Sequence, residues 1–348
     1  MRLPLVVSFL LLSCFHFAQT LEEMEENLNY TLLRLRSSKT DQEIKERNEA
    51  FKDSLRTFLS QEGAFDYTFK HCETIAVLDS PDELVRVITW NLEFTDFTYS
   101  YGGVVMYKDE RSEQIYLHEL VDALDPYTEK PEGVVSGKEW YGALYYKLLP
   151  FEKRGKTEYI LLGWDGGTPS SNMKLIDVLS VSKSNVKFGS PVFKEKKKTS
   201  RRVVFEYSEQ AKMSLRYDEA RKRIVFDHLS PQSPSLSEIP AYYVPDMSYD
   251  AYKEEDGFWY LQSDVIAVND GDPKKDKKYW IDPSDKSEKG IKHVARTPES
   301  EENLQEQNMD LMPKKRRIRK RDDPNRLMIT TGKYKSKGRK KYKSINFN

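Results

Sequence analysis

The sequence has only two cysteines, Cys14 and Cys72, and five histidines in 348 residues. If a leader is removed beyond Cys14, Cys72 stands alone, no intramolecular disulfide can form, and the fold must rest on its core. Cys72 follows His71, but no partner motif accompanies that pair, and a buried inert thiol is the reading it fits best. His71, His118 and His293 lack the spacing of a zinc site, and Asn269-Asp270-Gly271-Asp272 lacks the later Glu that a calcium loop requires. Neither a metal nor a cofactor is expected. No complete catalytic motif occurs. Beyond Leu3–Leu12 there is no apolar run approaching the roughly 18 residues that cross a bilayer as a helix, which excludes a helical membrane protein.

What is present begins with that run. Arg2 followed by Leu3–Leu12 reads as an export leader, with Ala18-Gln19 as its end. Leu11-Leu12-Ser13-Cys14 offers a second route, in which Cys14 becomes the lipid-bearing residue of an outer-membrane lipoprotein. The expected location is therefore outside the cytoplasm, periplasmic or secreted. The formal net charge of zero hides a division: residues 314–343 carry 15 Lys/Arg against Asp322 and Asp323, a net of +13, so the remainder carries −13.

Residues 20–62 follow as a helical hairpin. Leu21, Met24, Leu28, Leu32 and Leu35 recur at spacings of three and four, Ile44, Phe51, Leu55 and Phe58 continue the stripe, and Thr40 with Glu43 predicts a capping box. From Leu84 to Leu261 short runs rich in Val, Ile, Tyr, Phe and Trp predict strands at 85–94, 102–107, 114–120, 140–149, 157–163, 174–181, 202–207, 212–217 and 222–228. Turns are predicted at Lys153-Arg154-Gly155-Lys156, Asp165-Gly166-Gly167 and Asp218-Glu219-Ala220-Arg221, and links so short favour antiparallel hairpins. Tyr101-Gly102-Gly103 and Tyr141-Gly142-Ala143 each open a strand–turn–strand pattern, too few copies for a propeller. The expected fold is mainly β: an antiparallel meander over 63–283 forming a sandwich or open barrel, with the helical hairpin packed on it and a disordered, charge-rich stretch over 284–348.

Trp140, Tyr141, Trp164 and Asp165 are the candidate ligand-binding residues. A carboxylate on a glycine-rich turn beside an indole suits a cation or a sugar, and Tyr145, Tyr146 and Tyr159 extend the aromatic set. A hairpin turn and a shared core account for the same residues. Asp227-His228 suggests an acid/base pair near Ser214, but neighbours in a strand point to opposite faces, and no nucleophile elbow precedes Ser214. In the tail, Lys314, Lys315, Arg316, Arg317, Arg319, Lys320 and Arg321 form a polyanion-binding run. Behind an export leader this run suits an anionic envelope surface or polymer rather than a specific nucleic acid.

The segments WYGALYYKLLP (140–150), YILLGWDG (159–166), FEYSEQAKMSLRYDE (205–219) and IVFDHLSP (224–231) resemble a family of exported Bacteroidetes proteins of unknown function, a resemblance reaching from Trp140 to Pro231 and on toward Asp250. It implies a bacterial envelope address and carries over no activity, ligand or catalytic residue. The expectation is an envelope protein with a binding or structural role, its tail tethering it to anionic surfaces and an envelope protein as a further partner. The rival is an exported hydrolase of glycan or peptide with its site near Trp164, Asp165 and the 205–228 strands.

Overall fold

The computed structural model describes residues 19–123, 130–265, 279–281 and 288–290. The predicted leader up to residue 18, the Asn269–Pro273 loop, His293 and the basic run 314–343 lie outside the described residues. The chain divides into two units, Met1–Val268 and Asn269–Asn348. The packing described below belongs to the first. In the second, the described residues pair as an antiparallel hairpin, Tyr279–Ile281 with Glu288–Gly290.

Two helices open the first unit, α1 (Leu21–Arg36) and α2 (Asp41–Leu59). Thr20 and Glu23 close a reciprocal capping box on α1 that the sequence reading did not single out. Thr40 caps α2 by accepting the Glu43 N–H, whereas the Glu43 carboxylate reaches back to the Lys39 N–H at 2.8 Å, so the box predicted there is displaced by one residue. The apolar stripes do what their spacing predicts: Leu28, Leu32, Leu35, Ile44, Phe51, Leu55 and Phe58 are all buried.

They bury against a four-stranded antiparallel meander of β1 (Ala76–Asp79), β2 (Val85–Glu93), β3 (Tyr99–Lys108) and β4 (Ile115–Val121). Alternation along β2 sends Ile88, Trp90 and Leu92 to the helices and Val85 and Val87 to the opposite face. The Trp90 ring stands edge-on to Phe51 at 5.1 Å and donates its N–H to Asn48 at 2.8 Å. Gly102, directly opposite on β3, leaves the room: a Cβ there would fall 2.1 Å from the indole. Glu25 fastens the hairpin to the loop that follows it. The carboxylate is wholly buried and accepts from the N–H groups of Lys70 (2.7 Å), His71 (2.6 Å) and Cys72 (3.4 Å) and from the Tyr67 hydroxyl (2.8 Å).

The second sheet comprises β5 (Val135–Ser136), β6 (Leu144–Lys153), β7 (Lys156–Thr168), β8 (Ser171–Val181) and β9 (Val186–Phe188) in the order β5-β9-β8-β7-β6. The predicted turn at Arg154-Gly155 closes β6 on β7 with both residues at positive φ (51° and 72°), the backbone a two-residue hairpin needs. Next in the chain come β10 (Phe193–Glu195) and β11 (Lys198–Ser200), then β12 (Val203–Ser208), which returns to pair with β8. With β13 (Leu215–Asp218), β14 (Arg223–Pro231), β15 (Tyr243–Glu255) and β16 (Phe258–Gln262), β10 and β11 form a third sheet in the order β11-β10-β16-β15-β14-β13. Among the described residues the β10–β16 pair is parallel and the other ladders are antiparallel.

Between sandwich and barrel, the first unit is a stack: helices, first sheet, second sheet, third sheet. The middle sheet is covered on both faces. Tyr159, Leu161, Leu175 and Leu179 meet Val85, Val87, Tyr101 and Val105 on one side. Ile160, Leu162, Ile176 and Val178 meet Phe193, Ile224, Phe226, Tyr252 and Trp259 on the other. That double burial explains why β7 and β8 read as nearly continuous apolar runs rather than alternating ones.

Several strand boundaries shift by a few residues from the prediction, and two of the differences bear on the site. The strand expected from residue 140 starts at Leu144, because Trp140 instead forms a single parallel bridge with Asp122 and Gly142 turns to φ 68°. The turn expected at Asp165-Gly166-Gly167 is a bulge inside β7, and the chain reverses between Thr168 and Ser171. The glycines there serve close packing: Tyr99 lies where a Gly166 Cβ would come within 2.3 Å, and Gly167 takes φ 59°. Tyr101-Gly102-Gly103 and Tyr141-Gly142-Ala143 are not copies of one unit. They touch, since a Cβ on Gly142 would lie 2.6 Å from the Tyr101 ring.

Candidate functional site

The bulge in β7, the start of β3, the end of β4 and the link 140–143 converge at one end of the space between the first and second sheets. Polar side chains collect there within an otherwise apolar layer. Asp165 is their centre. Its Oδ2 contacts Lys130 Nζ at 2.5 Å, with the two side chains 9% and 7% exposed. Its Oδ1 accepts from the Tyr101 hydroxyl and the Gly167 N–H, each at 2.9 Å. Tyr101 in turn accepts from the Gly166 N–H at 2.8 Å. Lys130 spends its remaining donors on the carbonyl oxygens of Tyr141 (2.8 Å) and Gly142 (3.3 Å).

Asp122 adjoins the pair. Its Oδ2 accepts from the Ser100 hydroxyl (3.0 Å) and the Tyr101 N–H (2.9 Å), and a Cβ on Gly142 would sit 2.7 Å from it. Its Oδ1 is buried with no hydrogen-bond partner. Burial raises the Asp122 carboxyl above the ordinary carboxylate range, with the charge of Asp165 adding to the shift and Lys130 opposing it. Burial and the Asp165 charge likewise hold the Tyr101 phenol well above its usual value, so Tyr101 is a donor at any physiological pH.

A second ion pair also lies against Tyr141. Arg202, the residue before β12, has its Nε 3.4 Å from Asp177 Oδ2, while its Nη1 donates to the carbonyls of Pro131 and Gly133 (2.9 Å) and its Nη2 is buried without a partner. Its carbon Cζ is 4.6 Å from the Tyr141 ring centroid, and Lys130 Nζ is 5.3 Å from the same centroid. Asp177 is fully buried, and burial pushes its pKa up to about 7 despite Arg202.

The four candidate residues therefore separate. Trp140 and Tyr141 are core side chains, the Trp140 indole donating to the Tyr145 hydroxyl at 3.1 Å, and Tyr141 is 2% exposed. Asp165 does bind a cation, and the cation is the chain's own Lys130. Trp164 is half-buried and edge-on to Tyr99 at 5.5 Å.

The other sequence candidates are likewise placed. Cys72 is buried, and burial followed by the nearby Glu25 charge lifts its thiol to about 12, so the pair with His71 makes no nucleophile. Asp227 accepts from the Ser214 N–H at 2.7 Å, whereas His228 pairs with Asp250 at 2.8 Å, so the two neighbours do not orient each other. Among the described residues no group of three or more His, Cys, Asp and Glu side chains is placed to hold a metal, and no helix is long and apolar enough to cross a membrane.

No protein family, curated protein or solved structure matches this chain.

Sequence reasoning missed Lys130, Asp122, Tyr101, Arg202 and Asp177. One of them carried a signal: Asp177 is a lone carboxylate within the apolar strand KLIDVLSV, where no surface explains it. Lys130 carried none, being one lysine in a charged link.

Proposed function

We propose that this is an exported envelope protein that works by binding, its stacked β body serving as a rigid platform and its basic C-terminal run as the tether to anionic surfaces or polymers. The charge division carries this reading. A segment with a net of +13 attached to a remainder of −13 is attracted to polyanions. The start of the fold is compatible with removal of a leader, because the α1 cap begins at Thr20, one residue past the predicted cleavage point, and its partners all follow it. The rival hydrolase reading loses its most promising carboxylate, since Asp165 is committed to Lys130, Tyr101 and Gly167 inside the protein.

The test is co-sedimentation with vesicles of phosphatidylglycerol and phosphatidylcholine, comparing the full chain with a chain ending at residue 312. Binding that falls steeply with salt and vanishes in the shortened chain supports the tether. Equal binding by both chains would sink it. The leader is checked by the intact mass of protein recovered from its native cells, which is expected to begin at Gln19 or to carry lipid on Cys14.

A further inference from the structure

We propose that Lys130 and Asp165 condense into an intramolecular amide, Nζ to Cγ, releasing one water and tying the link after β4 covalently to the middle sheet. The contact is already made: Nζ touches Oδ2, and both side chains are nine-tenths buried. An ion pair in that position loses both hydration shells, and the amide avoids the cost of buried charge.

The surroundings suit each part of the step. Two N–H bonds of Lys130 are held by the carbonyls of Tyr141 and Gly142, so an amine that has given up its third proton directs its lone pair at the Asp165 carboxyl. Asp165 Oδ1, where negative charge develops as nitrogen adds to Cγ, already accepts from Tyr101 and the Gly167 N–H at 2.9 Å each, the range of an oxyanion site. Oδ2 is the leaving oxygen.

The balance is complete without any oxidant or cofactor. The Nζ–Cγ bond forms and the Cγ–Oδ2 bond breaks. Two of the three ammonium protons pass to Oδ2, which Nζ already contacts at 2.5 Å, and leave with it as water. Fixed contact supplies the high effective concentration that an amine and a carboxylate in water lack, and the buried Tyr141 ring, its centroid 5.3 Å from Nζ, disfavours the return of water for hydrolysis.

The full chain is purified, denatured and digested, and its intact mass and peptides are measured. The expected result is a mass lower by one water than the sequence from the same N-terminus, together with a branched peptide joining the segment containing Lys130 to the segment containing Asp165. Lys130→Arg is expected to restore the full mass. Recovery of Lys130 and Asp165 in separate linear peptides from the wild type would overturn the proposal, whatever the variant does. So would a water loss that persists in Lys130→Arg, since it would mark cyclisation of Asp165 onto the Gly166 nitrogen, which in the fold donates to Tyr101.

Discussion

Two buried carboxylates, Glu25 and Asp177, respond to pH in opposite directions. Burial alone would raise Glu25, but the N–H of His71, the Tyr67 hydroxyl and the N–H of Lys70 outweigh it and hold its pKa below the usual value. Its contribution to stability is therefore present above the unfolded value of about 4.3 and is lost as pH falls through the lower folded value. Glu25→Gln keeps the shape but loses the charge-assisted bonds. It is expected to cost about 1–3 kcal/mol in urea unfolding at pH 7, with the difference from the wild type shrinking in acid. For Asp177 the folded value, about 7, lies above the unfolded one. The stability gained from holding its proton is complete only below the unfolded value of about 3.9 and is lost progressively as pH rises from there through about 7. The wild type is thus expected to lose stability relative to Asp177→Asn between pH 5 and pH 8, by more than the about 1.4 kcal/mol that one pKa unit represents. A parallel pair of unfolding curves across that range would refute the assignment.

At the level of elements, the hairpin turn between β6 and β7 has Arg154 where Asn is at home. Both central residues have positive φ, and an arginine pays for that backbone with a Cβ clash that Asn tolerates better. Arg154→Asn is expected to raise stability by about 0.5–1 kcal/mol, read as a higher midpoint in thermal melting. Elements whose signal is local were legible in the sequence: the helical stripes, the Arg154-Gly155 turn, and the strands around Val85, Ile160 and Ile224. Those shaped by distant partners were not. Gly142 bends because Tyr101 and Asp122 lie against it, and Gly166 lacks a side chain because Tyr99 covers it, contacts between segments roughly 20 to 70 residues apart. The same limit applied to the site. Asp165 stood out by its glycines, but the lysine that meets it is brought there only by folding, and nothing in the charged link around Lys130 sets it apart.

Across the first unit, the middle sheet is expected to be the last part to open. β7 alternates between two cores, with Ile160 facing the third sheet and Leu161 facing the first. Ile160→Ala and Leu161→Ala are each expected to cost about 2–5 kcal/mol, although the residues are neighbours and their side chains share no contacts. The β7 and β8 amides should be the slowest to exchange with deuterium, and faster exchange there than in the helical hairpin would contradict the stack as the organising feature.

The order of the layers is also, nearly, the order of the chain. The helices come first, then the sheet they cover, then the sheet behind it, then the outermost one, with β12 the single step backward. A polypeptide emerging amino end first would find, at each stage, a finished surface on which to lay the next course. It would expose one unfinished face at a time, and the last strands made would be the ones that close it.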